Sequence, residues 1–404
     1  MGRLGNLLDL EECYAWLHFG AATVASAMAM ARWRRLSGKE LITALVVGYE
    51  LGGQVSLAIG PHTKLTNGQP EKGRSDVFGD DAPVVFAAVG AAARALNLSR
   101  DQTNQAYNLA ALYTPLPTVQ KCATQEDLPN TKYAKFGWCP LAGVFSAVSA
   151  MRGNTSDLTI LDGEKHGLLA IVQALDTNPQ RFLARLGSRW HLRSIGYKRW
   201  PACFWFHSPL KALEILIAKH GIDADDVSEV VLEVGSHILW DGGVQKKRGG
   251  FLNKQPRNLV SLTLSLAHSV AMLLMKVPPQ EWLNEEFAQT SAVQALRERV
   301  RFTESKTKWF YPDVFDDADF THVLNAGVNV ITGKGTFREE IDWFWDDSHH
   351  PKGRIYDCQI EAKFRSWVVA DDADRIVSLV NDLERLDDVS GLFDALYTAI
   401  GNVR

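Results

Sequence analysis

With 404 residues, 46% of them hydrophobic and 22% charged, the chain can bury a sizeable core and is long enough for two domains. A net charge of −4 leaves no electrostatic footprint for nucleic acid, so no nucleic-acid partner is expected. Apolar runs such as Leu262 to Met275 are interrupted and too short to span a bilayer, and no membrane partner is expected either.

The five cysteines (Cys13, Cys122, Cys139, Cys203 and Cys358) form no paired spacing, and Met1-Gly2-Arg3-Leu4-Gly5 lacks the apolar stretch of a secretory signal. A reducing cytoplasm is the expected location. Asn6 stands where N-myristoylation requires Ser or Thr.

In chain order, residues 18–32 are crowded with Ala, Gly and Ser, a composition that lets helices approach closely. Ser37-x-x-Glu40 reads as a capping box that opens a largely apolar helix to Ile59, containing Gly48-Tyr49-Glu50. Polar, Gly-rich sequence from Pro61 to Asp81 reads as a loop. An Ala-rich helix follows from Val84 to Leu98, and Ser99-x-x-Gln102 caps the next, which runs to about Tyr113. Residues 114–138 read as irregular and Leu141 to Met151 as a short helix. Ile160-Leu161-Asp162-Gly163 marks a turn.

Gly196 to His207 carries the densest chemistry. Lys198 and Arg199 precede Pro201, and a thiol and an imidazole follow at Cys203 and His207, amid Trp200, Phe204, Trp205 and Phe206. A helical pattern from Pro209 to His220, with Gly221 as its stop, begins at once. Cys203 and His207 therefore lie at the mouth of a helix, where unpaired N–H groups favour an anion. Spacing alone also admits a structural loop whose aromatics fill core.

Beyond His220 the period changes. Val230, Leu232 and Val234 alternate as in a half-buried strand, and Arg299 to Thr303, Val328 to Thr332 and Thr336 to Ile341 read the same way, the last two joined through Gly333-Lys334-Gly335. Helical patterns resume after Pro351, notably Ala370 to Leu386 and Val389 to Ile400. The expected fold class is mainly α: a large all-helical domain made of 1–194 and 351–404, plus a smaller α+β lid domain over 195–350.

Lys-x-aromatic-Pro-x-Cys-x-x-x-His over 198–207 resembles the signature of the MmgE/PrpD family, whose members include 2-methylcitrate dehydratase, cis-aconitate decarboxylase and iminodisuccinate epimerase. Further likenesses follow in the family's order. Leu8-Asp9-Leu10-Glu11-Glu12 and His18-Phe19-Gly20 resemble Leu-Asp-Phe-Asp-Asp and His-Pro-Gly, Gly48-Tyr49-Glu50 matches a family helix, and Ala134-Lys135 resembles a lysine before an Ala/Gly-rich helix. Ile160 to Gly163, Ser265-Leu266-Ala267-His268 in place of Ser-Leu-Pro-Tyr, and Lys363-Phe364 complete a likeness over essentially the whole chain. Family proteins usually carry several more helices before the segment that here arrives at residue eight, so either the protein is shortened or the chain begins late.

The resemblance implies a cleft between the two domains. Asp9, His18, Lys135, Lys198 and Cys203 are its catalytic candidates, and His207, His268, Trp138 and Trp200 its substrate-lining ones. Lysines would hold carboxylates while an imidazole moves a proton at the neighbouring carbon. An ammonium suits carboxylate and a developing enolate, and imidazole titrates near working pH. Each residue also has a structural reading: Lys135 and Lys198 as surface lysines, His18 as a helix cap, His207 as a packed histidine. Cys203 stands where some members place a histidine, and His268 replaces a tyrosine.

The family's polycarboxylate enzymes carry a histidine in the loop that here reads Ser75-Asp76-Val77-Phe78-Gly79-Asp80-Asp81. Its absence, the acidic Asp76, Asp80 and Asp81, and the aromatic walls argue against citrate-like substrates. The expectation is a cofactor-independent, metal-free lyase working by acid–base chemistry (decarboxylation or dehydration) next to a carboxylate, carbonyl or imine. Its partner is a small-molecule substrate larger and more apolar than citrate-like acids, and by resemblance it forms a homodimer. An isomerase, epimerase or cyclase of specialised metabolism is the alternative on the same scaffold, and a non-catalytic binding or dimerisation scaffold is the other. The enzyme reading requires the ammonium groups of Lys135 and Lys198 to meet across one crevice.

Overall fold

The computed structural model describes residues 8–14, 17–60, 63–66, 69–72, 81–115, 127–129, 135–172, 177–183, 186–188, 190–239, 249–305, 326–341 and 355–401, with residues 63–66, 69–72, 81, 135, 236, 237, 249 and 401 described by backbone alone. Helices α1 (Gly20–Arg34), α2 (Gly38–Ile59), α3 (Asp81–Ala95), α4 (Arg100–Tyr113) and α5 (Lys135–Met151) build the first core. Both expected capping boxes form. The Ser37 N–H donates to Glu40 Oε2 at 2.8 Å while the Ser37 hydroxyl caps Glu40 N–H, and Ser99 and Gln102 repeat the exchange on α4.

Helix α3 is the centre of this half, with α1, α2 and α5 all packed on it. Its Ala-rich surface offers little side-chain volume, so the partner helices close in until backbones nearly touch. A Cβ added at Gly143 of α5 would lie 2.6 Å from Ala88 Cβ and 2.7 Å from Val89 N. Helix α2 is long and apolar enough to cross a membrane by length and composition, yet 61% of its most apolar window is buried inside the protein. Helix-on-helix packing accounts for that apolar surface.

Two stretches differ from the sequence reading. Helix α5 starts at Lys135 rather than Leu141 and runs through Pro140. Proline cannot donate to the carbonyl one turn back, but buried Phe136 and Cys139 pin the first turn to the core and carry the helix across that gap. Within the expected loop from Pro61 to Asp81, strands β2 (Thr63–Thr66) and β3 (Gln69–Lys72) pair antiparallel. The Asn67-Gly68 pair between them in sequence is a strong hairpin signal that the loop reading passed over.

The second core surrounds a four-stranded sheet of order β6-β5-β7-β8, made of β5 (Val227–Val234), β6 (Val300–Glu304), β7 (Ala326–Thr332) and β8 (Gly335–Ile341). β5 runs parallel to β6 and antiparallel to β7, with Val230 opposite both Val300 and Val330. Val230, Leu232, Val300, Val328 and Val330 are buried against α6 (His207–His220) and α7 (Leu266–Leu274). Helix α6 stops where expected, Gly221 taking the left-handed conformation at φ 60°.

After the sheet, α8 (Asp357–Trp367) and α9 (Ala370–Asn381) share a small cluster of their own with α10 (Ser390–Gly401), built on Ile376, Leu392 and Ala395, and α10 also reaches the first core. Val389 and Phe393 are buried there, and Gly38 N–H donates to the Leu386 carbonyl at 2.8 Å. Two very short strands stitch the start of the chain to the segment between the cores: β1 (Glu12–Cys13) pairs antiparallel with β4 (Gly196–Tyr197), Glu12 opposite Tyr197.

Candidate functional site

The β1–β4 pairing sets the site, because it lays the acidic run Asp9, Glu11, Glu12 beside Lys198, one residue past β4. Asp9 is buried with φ 53°, in the left-handed region that aspartate tolerates better than most residues. Lys198 is fully buried, and its ammonium donates to Asp9 Oδ1 and, at 2.9 Å, to Glu11 Oε1. Burial alone would lower the lysine's pKa, but the two carboxylates outweigh it and hold the group charged, above its ordinary value.

One ammonium now serves two buried acids. Glu11 shows the consequence: desolvation first, opposed by Lys198 and reinforced by the charge of Asp9, lifts its carboxyl to about 7. Its side chain is only 5% exposed, and Oε2 has no hydrogen-bond partner among the described residues.

His18 completes the group. Its Nδ1 lies 2.8 Å from the Glu12 carbonyl and 3.5 Å from Glu11 Oε1. With the Nδ1 proton given to that carbonyl, Nε2 carries the lone pair in the neutral ring. The ring packs edge-on against Phe204 at 6.1 Å, and a side-chain exposure of 22% makes it the more open end of the cluster. Donor atoms of Asp9, Glu11 and His18 lie within 4.8 Å of one another, the one grouping among the described residues that could hold a cation, and two of the three, Asp9 and Glu11, meet the Lys198 ammonium.

The next carboxylate, Glu12, is structural support. Its Oε1 accepts the N–H of Gly20, first residue of α1, at 2.6 Å, and the Tyr49 hydroxyl also bonds to it. A side chain at Gly20 would collide with both Glu12 Oε2 and the Tyr49 hydroxyl, so this glycine is required by close approach. Glu50, beside Tyr49, accepts the N–H groups of His191 and Leu192 at 2.9 Å each. The His18-Phe19-Gly20 and Gly48-Tyr49-Glu50 motifs thus meet beneath the site and hold its floor.

On the side of the second core, Cys203 is half-buried and its N–H donates to the Thr263 carbonyl at 2.8 Å. It stands with Asp9 and Glu11 among the groups that raise the pKa of Lys198, so thiol and ammonium are neighbours. A short 3-10 turn (Phe204–Phe206) then leads into α6. His207 is fully buried; Arg199 N–H points at its Nδ1 at 3.5 Å, and burial followed by the charges of Lys198 and Lys363 drives its pKa down to about 3. It is a neutral imidazole packed 5.4 Å from Trp200 and does not cycle a proton near neutrality.

Of the residues singled out in the sequence, Asp9, His18, Lys198 and Cys203 come together, with His207 and Trp200 packed behind them. Trp200 stacks on Trp282 at 6.3 Å, and the Trp282 carbonyl accepts from His268 Nε2 at 2.6 Å. His268 therefore stands behind that pair in the second core, its pKa lowered to about 3 chiefly by burial. Trp138 is half-exposed on α5. The side chain of Lys135 and the loop residues Ser75 to Asp80 lie outside the described residues.

Sequence reasoning overlooked Glu11 and Lys363 as site residues. Lys363, on α8, donates to the carbonyls of Leu10, at 2.7 Å, and of Lys198, so the second ammonium found at the cluster comes from the C-terminal segment. Both residues lay inside motifs already noted for their family likeness. The missing signal was tertiary: two-residue strands give no periodicity, so nothing in the sequence announces the β1–β4 pairing that makes neighbours of them.

The MmgE/PrpD N-terminal domain matches residues 1–180 and the MmgE/PrpD C-terminal domain matches residues 200–385. No curated protein matches the chain. The two matches flank Lys198 and take in Asp9, Glu11, His18, Cys203, His207 and Lys363. With both of its domains matched in order over most of its length, the chain belongs to the MmgE/PrpD family.

Proposed function

We propose that this protein is a lyase-type enzyme that moves a proton at a carbon beside a carboxylate, carbonyl or imine, by dehydration or decarboxylation. Family membership supports a dehydratase, lyase or related activity. The observation that carries the finer reading is the buried Lys198 ammonium, held between two carboxylates with His18 and the Cys203 thiol beside it. Such a cluster is costly to fold and is rarely kept for stability. A preorganised ammonium stabilises charge developing on a substrate oxygen, and the Nε2 of His18 is the base on the more open side. The aromatic wall of Phe204 and Trp205 suits a substrate more apolar than citrate-like acids.

An epimerase or cyclase passes through the same proton abstraction. The excess of carboxylate over ammonium at Lys198 favours that second reading if the substrate bears an amine. The homodimer implied by family resemblance has a suitable face in Trp138, Leu141 and Phe145 of α5, each about half-exposed and spaced to form one stripe, with Tyr113 edge-on to Phe145 at 5.4 Å.

The test is alkylation of Cys203 in protein whose Cys122 and Cys358 are replaced by serine. A panel of small carboxylates, hydroxy acids and amines should contain members that slow the reaction at least several-fold, and Lys198→Ala should abolish that protection. Uniform alkylation rates across the panel would leave the scaffold reading standing instead.

A further inference from the structure

The Lys198 cluster is short of one positive charge. Its ammonium faces Asp9 Oδ1 and Glu11 Oε1, whereas Glu11 Oε2 is buried without a hydrogen-bond partner among the described residues. No other described cation reaches that oxygen. The Lys363 ammonium is spent on the carbonyls of Leu10 and Lys198, His18 gives its Nδ1 proton to the Glu12 carbonyl, and Arg199 turns outward to Glu214 at 2.9 Å. A buried carboxylate with one oxygen unsatisfied pays most of its desolvation cost uncompensated.

We propose that Glu11 is the proton-exchanging carboxyl of this site, carrying a proton on Oε2 while the site is empty and delivering it to the bound ligand. This inference rests on the reading of the cluster as a proton-transfer site. In the transfer the O–H bond of Glu11 breaks, its electron pair stays on Oε2, and the proton passes to the ligand atom that gathers negative charge. The carboxylate left behind becomes the second anion on Lys198, which already touches Oε1. His18, 3.5 Å from that oxygen and partly exposed, links the carboxyl to solvent for the return of the proton. The groups facing Glu11 support exchange near neutrality: burial and the charge of Asp9 oppose its ionisation and Lys198 favours it, with His207 held neutral by burial and the two lysines. The ligand atom that receives the proton is therefore an acceptor: a departing hydroxyl, an enolate oxygen or a carbanionic carbon.

Infrared difference spectroscopy of the ligand-free full chain tests this directly. Wild-type protein should show a protonated-carboxyl carbonyl band that shifts in heavy water and titrates away through about pH 7. Glu11→Gln should lose one carboxyl's share of that band while Glu12→Gln keeps it. A neutral-pH band unchanged in Glu11→Gln overturns the proposal. Should the glutamine variant fail to fold, Glu11→Asp keeps a carboxyl but shortens its reach to Lys198, and an unmoved titration midpoint there overturns it equally. No ligand is present in the measurement, so its failure is separate from failure of the Cys203 protection test.

Discussion

At the scale of single residues the site is an electrostatic compromise. Removing the cation from a buried ion pair strands its partners, so Lys198→Met should destabilise the fold by about 3–5 kcal/mol, read from urea denaturation midpoints. Glu11 makes a pH-dependent contribution of definite sign. Its folded pKa, about 7, lies above the ordinary 4.5, so the folded state holds the proton more tightly and stability falls as pH rises between those two values. Glu11→Gln should remove that fall, gaining on the order of 2–3 kcal/mol over wild type at pH 8 relative to the same comparison at pH 4. Equal pH slopes in the two proteins would contradict the assignment. Lys198 itself was legible from the sequence through the motif around Pro201 and Cys203. Its two carboxylate partners lie nearly two hundred residues upstream, and no local pattern connects them.

At the scale of elements, the first core depends on close helix crossings. Gly143 faces the side chain of Ala88 and the backbone of Val89, and backbone cannot swing aside as a flexible side chain can. Gly143→Ala should therefore force α5 off α3 and cost about 1–3 kcal/mol, with a lowered denaturation midpoint and an unchanged m-value. The same substitution at exposed Gly391, where a Cβ meets nothing within 4 Å, should be close to neutral and serves as control. Capping boxes, the Gly221 stop and the alternating strands were all readable because each is a local pattern with a local cause. The start of α5 and the β2–β3 hairpin were not read correctly: burial of Phe136 and Cys139 overrode the proline rule, and polar composition masked a turn signal.

At the scale of the whole molecule, the segment from Gly196 to His207 joins the two cores, and three separate parts of the chain converge on it. β1 brings the acids, the hinge brings Lys198 and Cys203, and α8 brings Lys363. The exposed stripe of Trp138, Leu141 and Phe145 predicts a dimer across α5. Sedimentation should give twice the chain mass for wild-type protein and a single chain mass for Phe145→Glu, since a charge cannot be buried unpaired in an apolar contact.

The sequence by itself determined the mainly helical class, the later α+β segment, the helix caps and the family, because periodicity, capping and ordered motifs are written in neighbouring residues. Only the tertiary structure decided that Lys198 is buried between Asp9 and Glu11, that His207 is neutral, and that Lys363 belongs to the cluster. Charge states and partners in a buried site depend on distances between residues far apart in the chain, and chain folding alone sets those distances.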